Sequence, residues 1–275
     1  MTTLVANARM YAINREIGAA WDRLFNWIGA RAETRLATIE HPAPNPLAEL
    51  WRRPDLGCAM MCGYPWATWH DAEVRRPLPL AVPVPSPPRF CGVPRYWSDI
   101  VVRTDSVYAT ADDLAGTRFL FTGEDSQSGY QAPRAFFAQR ARAAGGRFFG
   151  ATIGPVFTPR RVVDTLLAGA ADAGPLDAWW HELLRRYEPV LAARLRVVGR
   201  TPATPMPFLV CSAELGDTIQ RRLAAALDAV ADAPELAPVR DALLLTGFAR
   251  VDTDAYALLA RRADEIDSMG YARLQ

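Results

Sequence analysis

The sequence predicts an α/β protein of two lobes, each a mainly parallel sheet flanked by helices. Three observations lead there. Apolar runs of strand character alternate with stretches of helical periodicity through most of the 275 residues. Two proline-rich connectors, at residues 77–94 and 202–207, bracket a central α/β block. The composition is that of a globular chain, with 50% hydrophobic and 22% charged residues.

Taken in order, residues 4–8 read as a strand. Asn14 follows as a helix cap, ahead of Ile17, Trp21, Leu24, Phe25 and Ile28 at helical spacing. Residues 35–40 form the next strand, 46–52 a short helix, and 56–62 a third strand ending at Gly63-Tyr64-Pro65. Strand–helix–strand alternation of this kind implies crossovers and a parallel sheet. In the first connector proline recurs at 77, 79, 83, 85, 87, 88 and 94, which marks an extended edge segment rather than a core element. Residues 96–103 read as a long strand.

The alternation then restarts, with a short helix near 111–114, a strand at 118–122, a helix over 127–144 and a strand at 148–153. Thr158-Pro159 pairs a good N-cap with a good first helical residue, ahead of Val162, Val163, Leu166 and Leu167. A strand at 171–176 ends at Asp177, the expected cap of a helix over 178–187. Residues 195–198 are extended, and 208–211 form a strand. The tail is helical: Ile219, Leu223, Leu227 and Val230 share one face, and Ala255 and Leu258 another. The connectors divide the chain into lobe one, residues 1–101 and 206–275, and lobe two, residues 102–205. A ligand cleft is expected between the lobes.

Composition excludes several chemistries. All 31 basic residues are arginine, so no lysine is present for a Schiff base, a pyridoxal phosphate linkage or a Walker-type phosphate loop. Cys58, Cys62, Cys91 and Cys211 are scattered, and His41, His70 and His181 lack metal-ligand spacing. The cysteines read as buried apolar residues. No cofactor is expected. A net charge of +1 gives no general case for nucleic acid or an anionic membrane as partner. No 18-residue apolar span occurs, and the N-terminus lacks a signal-peptide pattern, so the expectation is a cytoplasmic chain or the processed form of a periplasmic one.

The candidate site follows from strand ends. The first turn of a helix carries unpartnered N–H groups and a partial positive charge, which together stabilise an oxyanion without lysine. Ser126-Gln127-Ser128-Gly129 sits at such a junction, with two hydroxyls as donors and a glycine that permits close approach. Simple helix capping is the competing reading of the same residues. Thr158 and Asp177 open two more helices in the same lobe. An Asp suits a ligand that carries a proton or a cationic end. Arg9, after the first strand, is a candidate ligand contact, whereas Arg134 and Arg160 read as solvated helix residues. Tyr11, Tyr64 and Tyr96 lie at strand ends of the first lobe, where they either pack or donate phenolic hydrogen bonds.

The segment Glu124 to Arg134, EDSQSGYQAPR, resembles the ligand-binding turn of phosphate/phosphite/phosphonate ABC-transporter substrate-binding proteins. Residues 114–119 (LAGTRF) and 168–177 (AGAADAGPLD) resemble two further segments of that family. The resemblance implies a type II periplasmic-binding-protein fold whose two hinged lobes close on an oxyanion. It assigns phosphoryl contacts to Ser126, Gln127 and Ser128, an acceptor role to Asp177, and aromatic contacts to Tyr64 and Tyr11. Where relatives often carry Gly-Ser-His, this chain has Phe157-Thr158-Pro159-Arg160. The function expected is that of a solute-binding protein for a small anionic ligand such as a phosphonate, serving an ABC permease. The alternative is a cytosolic enzyme on the same fold with Asp177 or Glu124 as acid or base.

Overall fold

In the computed structural model, which describes residues 2–275, the chain divides into two units. Unit 1 runs to Arg95 and resumes from Pro205 to Ala255; unit 2 comprises Tyr96–Thr204 and Tyr256–Gln275. The sequence boundaries fell at 101/102 and 205/206. The larger difference is the tail, since residues 256–275 group with unit 2.

Unit 1 begins with β1 (Thr3–Asn7) and α1 (Arg15–Arg31), whose N-cap Asn14 accepts from Ile17 N at 2.9 Å. All five apolar residues expected on its inner face are buried. β2 (Arg35–Thr38), α2 (Leu47–Trp51), β3 (Leu56–Met61) and α3 (Gly63–Ala67) follow. β3 is buried at every residue, as befits a strand covered on both faces. The proline-rich stretch is not an edge connector. Its first part is β4 (Leu78–Pro85), followed by β5 (Arg95–Tyr96).

Unit 2 contains β6 (Ser98–Arg103), β7 (Arg118–Leu120), α4 (Ala132–Ala143), β8 (Ala151–Ile153), α5 (Pro159–Leu167), β9 (Ala173–Asp177), α6 (Ala178–Tyr187), α7 (Pro189–Ala192), β10 (Leu195–Arg200) and β11 (Thr204–Pro205). Its five-stranded sheet has the order β10-β6-β9-β7-β8. β8, β7 and β9 are mutually parallel, while β6 and β10 add antiparallel. Phe119 of β7 stacks on Phe149 at 4.4 Å between ring centroids and meets Phe137 of α4 edge-on at 5.5 Å. Burying each ring stabilises by about 2–3 kcal/mol, and the pairing fixes α4 against β7.

The chain returns to unit 1 through β12 (Phe208–Cys211), α8 (Asp217–Asp228), α9 (Ala237–Leu243) and β13 (Leu245–Ala249), and ends in α10 (Thr253–Ser268). The six-stranded sheet of unit 1 has the order β13-β4-β12-β3-β1-β2. Only β2, β1 and β3 are parallel; β12, β4 and β13 are antiparallel. Each sheet is therefore mixed: strands separated by a helix run parallel, and strands after long connectors reverse. β4 lies inside its sheet despite Pro79, Pro83 and Pro85. Residues 78–81 pair with β12 and 82–85 with β13, both ladders carry register irregularities, and proline is tolerated at such bulges. α9 lies in the tail that reads as helical, whereas β13 had no counterpart in the sequence reading.

Three further expectations change. On α10 the buried face is Tyr256, Leu259, Ala263 and Ile266, and Leu258 is exposed. Arg134 is not a solvated residue but is buried. Its guanidinium pairs with Asp267 and donates to the carbonyls of Ala263, Tyr271 and Ala272, so it fastens the tail to unit 2. The Tyr130 hydroxyl accepts from Leu274 N at 3.1 Å and completes the attachment. Cys58, Cys62 and Cys211 are buried as expected, whereas Cys91 is exposed. Burial raises the Cys58 thiol far above its ordinary range and pushes Cys211 up to about 12.

Candidate oxyanion site

Three parallel neighbours, β8, β7 and β9, end on the same side of the unit 2 sheet, and a helix starts after each. Every start is capped by a side-chain oxygen. After β7, Ser126 Oγ accepts from Gly129 N at 2.9 Å. After β8, Thr158 Oγ1 accepts from Arg161 N at 3.2 Å. After β9, Asp177 Oδ1 accepts from Trp179 N at 2.9 Å and Trp180 N at 3.1 Å. A hydroxyl that accepts a cap bond still has its own proton to donate, so Ser126 and Thr158 cap and remain donors.

The serine turn is wider than an α-helical one. Residues Gln127–Gln131 form a single π turn, in which Gln131 N bonds to Ser126 O at 3.0 Å. α4 continues from Ala132, with Pro133 in its first turn, where proline removes no intrahelical bond. Such π turns recur at functional positions in helices. Within the turn Gln127 and Gly129 are buried, while Ser126 and Ser128 are half-buried.

Gly129 has a different reason from the one its sequence context suggested. A Cβ there would lie 1.7 Å from Thr122 Oγ1. The glycine lets the turn close on Thr122, whose N–H bonds to Gly129 O at 3.3 Å. Its own N–H is taken by the Ser126 cap, so the residue shapes the turn.

Ser98 was missed. It is fully buried at the start of β6, opposite Asp177 in the ladder, and its hydroxyl donates to Ser128 O at 2.7 Å. Its N–H donates to Thr201 Oγ1 at 2.9 Å. The neighbouring Asp99 is fully buried and accepts from Trp97 Nε1 at 3.1 Å, with His181 Nδ1 at 2.8 Å. A polar Ser-Asp pair leading an apolar strand is the one signal that sequence reading offered. Among the described residues, no group of three or more His, Cys, Asp or Glu is placed to hold a metal ion.

The arginines are committed elsewhere. Arg9 Nη1 donates to the carbonyls of His41 at 3.0 Å and Asn45 at 2.6 Å, and burial lowers its guanidinium below the ordinary value. Arg160 pairs with Glu188, whose hydrogen bond raises the guanidinium above its ordinary value. Of the tyrosines, Tyr11 and Tyr96 are each 1% exposed and Tyr64, at the start of α3, is half-buried. Tyr96 belongs with unit 2 rather than with the first lobe.

The fold and these helix starts define an α/β solute-binding protein, in which aligned amides and hydroxyls gather at strand ends. The chain belongs, more particularly, to the family described as ABC transporter, phosphonate, periplasmic substrate-binding protein, whose profile matches residues 14–256. That family serves transport and is not a family of enzymes. No curated protein matches the chain. Among solved structures, it is similar to a binding-protein component of an ABC phosphonate transporter from Pseudomonas aeruginosa, with a TM-score of 0.83, 16% identity, and coverage of 98% of this chain and 88% of that one. It is also similar to PhnD1 from Prochlorococcus marinus in complex with methylphosphonate, with a TM-score of 0.79, 17% identity, and coverage of 97% and 98%. A third is the periplasmic aliphatic sulphonate binding protein SsuA from Escherichia coli, at 0.58 and 16% over 100% and 92%. The fold is thus the two-lobe type II periplasmic-binding-protein fold that the resemblance implied. No helix among the described residues is long and apolar enough to cross a membrane.

Proposed function

We propose that the chain binds an organic phosphonate, or a closely similar oxyanion, at the serine turn of unit 2 and delivers it to an ABC permease from the periplasm. One observation carries this reading: Ser126, Thr158 and Asp177 cap three helices that start at the same end of the sheet. The hydroxyls of Ser126 and Ser128, with the backbone of Gln127 and Ser128, donate to the phosphoryl oxygens. Asp177 accepts the proton of the monoprotonated head group; a carboxylate has capacity beyond the two amides it caps. The Prochlorococcus marinus neighbour in complex with methylphosphonate supports this ligand class.

The reading requires binding without turnover. An enzyme would use Asp177 or Glu124 as acid or base, but Asp177 serves α6 as its cap, which suits a fixed acceptor. A thermal-shift screen against phosphate, phosphite, methylphosphonate, alkylsulfonates and carboxylates tests the proposal, because ligand binding to the native state raises Tm with concentration. A phosphonate or phosphate-like oxyanion should give the largest rise. A rise with carboxylates alone would overturn it.

A further inference from the structure

We infer that Phe157 determines specificity at this site: its ring receives the hydrocarbon substituent of an organic phosphonate whose head group lies on the serine turn. The inference rests on the oxyanion reading of Ser126–Ser128. Phe157 has φ of 68°, the left-handed region, which is an outlier for a bulky aromatic residue. The residue is 46% exposed, so the left-handed backbone is not offset by burial in the core. Glycine or asparagine would fit the same backbone with less strain. Strain of this kind persists where the surroundings over-determine the conformation and gathers at ligand contacts.

Those surroundings are visible. Val156 N bonds to Phe121 O at 3.0 Å and Phe157 N to Thr122 O at 2.8 Å, while Thr158 caps α5. Thr122 is also the residue against which Gly129 closes. The backbone of Phe157 is therefore bonded to the floor of the serine turn and precedes by one residue a second capped helix start. An apolar residue beside that turn suits the carbon substituent of a tetrahedral phosphorus bound by its oxygens. Inorganic phosphate has no such group.

The experiment measures Kd for phosphate and for methyl-, butyl- and phenylphosphonate on the wild type, Phe157→Ala and Phe157→Gly. The wild type should tighten by about tenfold from phosphate to the butyl and phenyl ligands, the lower end of the effect of apolar contacts on discrimination. Phe157→Ala should abolish that gain and leave phosphate and methylphosphonate within about twofold. Phe157→Gly should lose the same selectivity yet melt higher than Phe157→Ala, because glycine accepts the backbone angle. Wild-type binding that ignores the substituent, or a Phe157→Ala protein that keeps the gain or weakens equally for all four ligands, would overturn the inference and leave the oxyanion reading standing. A wild type that binds none of the four would overturn both.

Discussion

The Ser98 hydroxyl donates to the Ser128 carbonyl at 2.7 Å, and in the β6–β9 ladder Ser98 stands opposite Asp177. One buried side chain thus joins the serine turn to the strand that ends in Asp177. Ser98→Ala should leave the Ser128 carbonyl without its donor. A loss of about 1–2 kcal/mol in stability is expected, with weaker phosphonate binding of about fivefold. Thermal melts and calorimetry on the same variant check both, and unchanged binding would remove Ser98 from the account.

Gly129→Ala should be far more damaging than an exposed glycine substitution. The new methyl would meet Thr122 Oγ1 at 1.7 Å, and overpacking of this type costs about 1–3 kcal/mol or more. Thr122→Ala, by removing that oxygen, should restore part of the Tm in the double variant. Simple additivity of the two changes would contradict the packing argument.

Arg134 holds the tail. Arg134→Met should strand the carbonyls of Ala263, Tyr271 and Ala272 and the carboxylate of Asp267, and lower stability by about 2–4 kcal/mol. Limited proteolysis should then cleave first within residues 256–275. A variant as resistant as the wild type would show that the tail is held by its apolar contacts alone.

The acid limb of stability should include the Arg118–Asp172 pair at 2.8 Å. The hydrogen bond from Arg118, with its charge, holds the Asp172 carboxyl below the usual carboxylate range. A depressed folded value means that the contribution is complete above the unfolded Asp pKa of about 3.9 and is lost as pH falls through the lower folded value. Asp172→Asn should therefore lower Tm near neutral pH and narrow its gap to the wild type below about pH 4. A gap independent of pH would contradict the ion-pair account.

The parts of the fold legible in the sequence are those whose causes are local. Asn14 and the five apolar residues after it declare α1 because cap and stripe are separated by single helical turns. Ser126, Thr158 and Asp177 were visible as caps for the same reason. What stayed hidden depends on distant partners. Arg134 reads as a surface residue until Asp267, 133 positions later, is folded onto it. Ser98 gains its meaning only from Ser128, 30 residues on. β4 was obscured because proline argues against a sheet interior, and only its division between two partners makes room for three of them. Gly129 was recognised as special, but for a ligand's approach; its neighbour is Thr122.

The most direct test is a calorimetric titration of methylphosphonate into the wild type and the Ser126→Ala/Ser128→Ala double variant. Two hydrogen bonds to a charged head group are worth about 3 kcal/mol or more together, so Kd should rise at least a hundredfold while the variant stays folded. A double variant that binds methylphosphonate as tightly as the wild type would contradict the assignment of the head group to the serine turn.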